Sequence, residues 1–121
     1  MSNRTLHNLH SLDVEEGAVG STVRLGGKWA DLKEGEIIEL CVCTKDPETH
    51  DVQGLGQTLS LWFGRFIDVP AQYLRYEHEE KSREYSGLVS SMKNAYGEDF
   101  DTHAPVVVIM YRRLKKQKVV S

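Results

Sequence analysis

Five apolar residues in a row, Val106-Val107-Val108-Ile109-Met110, follow Pro105. Four of them are β-branched, which disfavours helix and suits a pleated strand. Successive side chains of a strand point to opposite faces. The run therefore puts apolar groups on both sides and predicts an interior strand over Pro105 to Leu114. The rest of the chain must supply neighbouring strands and apolar cover for two faces. With 121 residues it can do so within one domain.

The strongest helical signal is Tyr85, Leu88, Val89, Met92 and Ala95, one face of an amphipathic helix from about Glu84 to Tyr96. Gly97 suits the position that ends it. Thr22 to Leu25 reads as a short strand stopped by Gly26-Gly27. Lys28 to Leu32 reads as a helical turn, and Gly35 sits in the turn that follows. Ile37 to Thr44 is a strand with Ile38, Leu40 and Val42 on one face and Glu39, Cys41 and Cys43 on the other. Lys45 to Asp51 is a polar, proline-containing loop. Gln57 to Ile67 alternates as a strand, with Leu59, Leu61, Phe63 and Ile67 sharing a face and Trp62 opposite. Asp68-Val69-Pro70 begins a short helix carrying Tyr73 and Leu74. In residues 1–16 Leu6, Leu9 and Leu12 recur every third residue, consistent with a short helix or an ordered arm. Strands with one good helix and a buried last strand make an α+β domain over 17–114, with an arm at 1–16 and a tail at 115–121. The pattern is equally compatible with an open sheet and a barrel.

The net charge of -3 is not that of a general nucleic-acid binder. Its distribution is uneven. Glu77 to Asp101 is acid-rich, and Arg112-Arg113-Leu114-Lys115-Lys116-Gln117-Lys118 is basic. No apolar run approaches the roughly 20 residues needed to span a bilayer, so no membrane partner is expected. The N-terminus has no apolar segment of the secretory kind, and the chain is read as cytoplasmic. The two cysteines, Cys41 and Cys43, lie on one strand face and read as reduced, packed thiols. His78 among Glu77, Glu79 and Glu80 lacks the second histidine at helical spacing that a metal helix needs. No motif calls for a metal or a cofactor.

One stretch carries a family resemblance: Gly17-Ala18-Val19-Gly20-Ser21-Thr22-Val23-Arg24, then Trp29 to Leu32, then Glu34-Gly35-Glu36 opening an apolar run. It resembles the signature of the ASCH domain family, Gly-x-Lys-x-x-(Glu or Thr)-x-Arg. Gly17, Thr22 and Arg24 match, while Val19 stands at the lysine position. The resemblance implies a PUA-like β-barrel with one main helix, tied to RNA, with Arg24 facing a cleft between barrel and helices. It also implies a catalytic comparison. In acetylcytidine amidohydrolases, which look like relatives of this domain, a threonine here is the nucleophile. A lysine activates it and a later glutamate assists, a position Glu77 or Glu79 could fill. A threonine hydroxyl needs such a base, and Val19 has none to offer. Lys28 could swing in only from the next turn.

The candidate nucleotide-binding residues are thus Thr22, Arg24, Lys28 and Trp29. A guanidinium offers a rigid fork for phosphate or a base edge. A tryptophan beside cations can stack a base, or close the mouth of a barrel over Leu32. The leading expectation is a non-catalytic RNA- or nucleotide-binding module, helped by unspecific phosphate attraction from the basic tail. The alternatives are a small hydrolase acting on RNA or a modified nucleoside, and a protein-interaction module using the acidic segment.

Overall fold

The computed structural model describes residues 4–8, 12–42, 51–78 and 80–115. Five strands form one mixed sheet: β1 (Arg4–Asn8), β2 (Val19–Leu25), β3 (Ile37–Val42), β4 (Asp51–Arg65) and β5 (Pro105–Arg113). Their order is β1-β3-β4-β5-β2, parallel between β1 and β3 and antiparallel elsewhere. Two helices, α1 (Ala71–Leu74) and α2 (Tyr85–Tyr96), lie between β4 and β5 in sequence. The fold is therefore α+β, with an open sheet. Among the described residues no helix is long and apolar enough to cross a membrane.

β5 occupies the interior position that its apolar run demands. Val106 and Val108 pack on one side with Val23, Phe66, Leu74, Leu88 and Met92. Val107, Ile109 and Tyr111 pack on the other with Leu6, Val14, Trp29, Leu32, Ile38 and Leu40. The first side is covered by α2 through Leu88 and Met92, at the spacing expected of its apolar face. Gly97, with φ of 106°, ends the helix in a conformation few side chains tolerate.

The second side is the hollow one. β1 and β2 are the two edges of the sheet, and a flat five-stranded sheet would hold them roughly 19 Å apart. Yet Arg24 Nη1 on β2 donates to the His7 carbonyl on β1 at 2.7 Å. The sheet must curl strongly toward the face bearing Arg24. The outer edge of β2 is partly capped by 76–78: Ser21 N donates to Tyr76 O, and His78 N donates to Ser21 O at 2.8 Å. Asp13 N in turn donates to His78 O at 2.6 Å.

Two expectations change. The segment expected as a helix or loose arm supplies β1, because Leu6 belongs to the core beneath Trp29. Leu9 lies outside the described residues. On β4 the alternation is broken by a bulge between Thr58 and Ser60. Leu61 packs against the inner core, whereas Leu59, Phe63 and Ile67 are exposed large apolar residues. Arg112 and Arg113 lie in β5, as the strand expected over Pro105 to Leu114 requires, so their side chains are not part of a solvated tail. Arg112 Nη1 donates to Gly17 O at 2.7 Å, and Arg113 bonds the carbonyls of Val14 and Gln53 at 2.6 and 2.8 Å. Cys41 is buried and reduced; Cys43 and 116–121 lie outside the described residues.

Candidate functional site

β2 pairs with β5 in unbroken register from Val19 to Leu25. Thr22 faces Ile109 and Arg24 faces Val107, so both side chains rise on the hollow face. Thr22 is 1% exposed, its hydroxyl accepting from Arg24 Nε at 3.0 Å. The guanidinium is thereby bound to a strand neighbour on one side and to β1 on the other. Burial pulls the Arg24 pKa down, and the neighbouring Tyr96 and Glu77 partly oppose that shift. The Tyr96 hydroxyl accepts from Leu25 N at 3.5 Å. α2 thus sends its last residue to the rim of the same cluster.

Glu77 enters from far along the chain. Its backbone sits on the free edge of β2, and its side chain is 2% exposed. A buried carboxylate must be paired or hydrogen-bonded. His78 Nδ1 lies 2.5 Å from Glu77 Oε1 and 3.3 Å from Ser21 O. Both neighbours are acceptors, so Nδ1 carries the proton. Arg83 fixes the backbone here: Nε donates to Glu77 O and Nη2 to Asp13 O, each at 3.0 Å.

Tyr111 completes the group. It is wholly buried, directly opposite Gly20 on β2 and Thr58 on β4. A Cβ on Gly20 would lie 3.0 Å from the Tyr111 hydroxyl and 2.6 Å from Val14, and one on Gly56 would lie 3.0 Å from the ring. Two glycines thus make room for one phenol. Burial pushes the Tyr111 pKa far up, and the Glu77 charge adds to the shift. The Tyr111 hydroxyl and Glu77 Oε2 are both buried without a hydrogen-bond partner. Native folds leave few polar groups in that state.

Lys28 and Trp29 are placed otherwise. Trp29, on the turn Gly27–Trp29, is 6% exposed and packs in the inner core with Leu32. Arg4 and Lys28 hold their cations 5.6 and 5.9 Å from its ring centroid. The ring is a lid on the hydrophobic core, and Lys28 stands exposed above it. Trp29 therefore shares the hollow side of the sheet with Thr22 and Arg24 but does not present an open face for stacking. Val19 pairs with Arg112 and lies on the opposite sheet face from Thr22, since three residues separate them in a regular strand.

Tyr111 and Tyr96 were not singled out as site residues by sequence. The only trace of Tyr111 was its place at the end of the apolar run. Gly20 and Gly56 reveal the space it needs only after pairing is known. Glu77 stood in the sequence as one glutamate among several, and its burial follows from the capping of β2. Compared with family models, curated proteins and solved structures, the chain matches none.

Proposed function

We propose that the chain is a non-catalytic RNA- or nucleotide-binding module of the ASCH, PUA-like kind, in which Thr22 and Arg24 meet the ligand. The supporting observation is the Arg24 guanidinium, held over the concave face between Thr22 on β2 and the His7 carbonyl on β1. Such groups are expensive to bury, and an apolar filling would serve the core as well. A cation retained in such a place is the pattern of a site kept for a ligand. The curl that brings Arg24 to β1 fits a barrel whose closure is made by side chains and by 76–78. Lys28 would meet phosphates near the rim. The committed guanidiniums of Arg112 and Arg113 reduce what the basic segment can add.

A hydrolase is the second reading, favoured by the contact of Thr22 with Arg24. It lacks a base: Thr22 receives a hydrogen bond from Arg24, and Val19 is apolar and on the wrong face. General-base help is worth roughly 100- to 10,000-fold. Acetylcytidine turnover by wild type should be at background, and Val19→Lys should not restore it. Thr22-dependent wild-type turnover would overturn the non-catalytic reading.

The binding test is a titration of the protein with single-stranded RNA, duplex RNA and ribonucleosides at two salt concentrations. Binding centred on the buried cluster should survive added salt, whereas binding through surface cations falls steeply with it. Absence of binding to every probe would remove the proposal.

A further inference from the structure

Phe63 is the large apolar side chain most open to water among the described residues, 53% exposed. Lone exposed apolar residues are common on protein surfaces and carry little meaning by themselves. The place of this one is different. It stands on β4 past the bulge, directly opposite Val107 on β5, and Val107 is directly opposite Arg24 on β2. Facing residues of paired strands share a sheet face, so Phe63 rises on the hollow face in one row with Arg24. Val107 between them is wholly buried, and Leu61, two residues back on β4, packs against the inner core. The apolar core runs up to Phe63 and stops there, leaving the ring uncovered. We propose that Phe63 is the stacking platform of the binding site, and that its occupant is one unpaired base of a nucleotide or single-stranded RNA. This rests on the binding reading above and deepens it by naming the ring that holds the base.

Charge selects this occupant over a purely apolar one. Arg65 is the next same-face residue of β4 and is more than half exposed. Its ion pair with Asp68, 2.8 Å long and open to water on both sides, is of the kind that holds a side chain weakly. Lys28 lies on the same side of the sheet, its ammonium 5.9 Å from the ring centroid of Trp29 in the inner core. An open aromatic face among Arg24, Arg65 and Lys28 suits a planar ring that carries phosphate. The other rings of the inner core cannot take the role, since Trp29 is 6% and Tyr111 0% exposed. A base within a duplex has both faces stacked already, so the base that reaches Phe63 is unpaired. Stacking of this kind accepts any base, and the phosphate then points to Lys28 at the rim.

The experiment titrates AMP and a short single-stranded oligoribonucleotide into wild type, Phe63→Leu and Phe63→Tyr. Ribose 5-phosphate, which has the sugar and phosphate but no base, is the control. Melting temperatures and sedimentation velocity of the free proteins are recorded in parallel. Wild type should bind AMP and the oligonucleotide far more tightly than ribose 5-phosphate. Phe63→Leu should lose roughly 5- to 100-fold in affinity, the worth of one stacked base, and Phe63→Tyr should retain nearly all of it. Both variants should melt within about 3 °C of wild type, because the ring is exposed. Equal affinity of wild type and Phe63→Leu would overturn the platform while leaving the binding function intact. So would ribose 5-phosphate binding as tightly as AMP, or Phe63→Tyr binding as weakly as Phe63→Leu. A Phe63→Leu protein that melts far below wild type would show a packing residue and refute the platform. Self-association of wild type that Phe63→Leu abolishes would mark an interface between copies and refute it too. If wild type binds neither AMP nor RNA, the functional reading fails and the platform falls with it.

Discussion

Arg24 is one side chain with two consequences. It joins the two sheet edges through His7 O, and its Nε donates to the buried Thr22 hydroxyl. Replacing it by Leu removes both bonds and leaves the buried Thr22 hydroxyl without that donor, a loss of about 1–3 kcal/mol. Urea denaturation of Arg24→Leu should show that loss, and adding Thr22→Val should recover part of it as coupling between neighbours. Tyr111 gives a pH signature. Its pKa is raised in the folded state, so the folded protein holds a proton that the unfolded chain releases near pH 10. The associated stability is full below about pH 10 and is lost as pH rises toward the folded value. Spectroscopic titration should find one of the five tyrosines silent until unfolding, and Tyr111→Phe should flatten the alkaline fall in stability. Gly87 carries a purely steric constraint: a Cβ would lie 1.8 Å from the Lys81 carbonyl oxygen. Gly87→Ala should cost about 1–3 kcal/mol or more by overpacking, read from the denaturation midpoint.

At the scale of elements, periodicity was sufficient where one element met one environment. The five-residue apolar run placed β5 in the interior, and the spacing of Leu88 and Met92 placed α2 against it. Leu88→Ala should therefore cost about 2–4 kcal/mol, against less than about 0.5 for Asn94→Ala on the exposed face. Thermal denaturation distinguishes these outcomes. Where two phases share one strand, the pattern misled. The bulge at Leu59 shifts β4 by one residue, so Leu59 does not join Leu61 inside. No local signal marks such a slip, because it is set by pairing with β5. β1 was hidden for a related reason: the leucines of residues 1–16 recur every third residue, and the strand over Arg4–Asn8 exists only through parallel pairing with β3.

On the scale of the whole molecule, the decisive feature is curl. Thr22 and Arg24 were legible from their motif, but their burial and partners depend on β1 and 76–78 arriving from opposite ends of the chain. Sequence could not supply this, since non-local pairing has no local signature. Trp29 illustrates the converse. Its type and neighbours allowed a stacking platform or a core lid, and the depth of the inner core makes it the lid. The acidic segment is likewise divided by the fold, with Glu77 buried and Glu80, Glu84, Glu98 and Asp99 at the surface. The central claim is that the buried polar cluster, rather than the basic surface, is where ligand binds. Backbone amide chemical-shift mapping during titration with single-stranded RNA and ribonucleosides tests it most directly. The account predicts shifts concentrated at residues 20–25 and 63, persisting at raised salt. Shifts confined to Lys28, Arg112 and Lys115 and abolished by salt would contradict it.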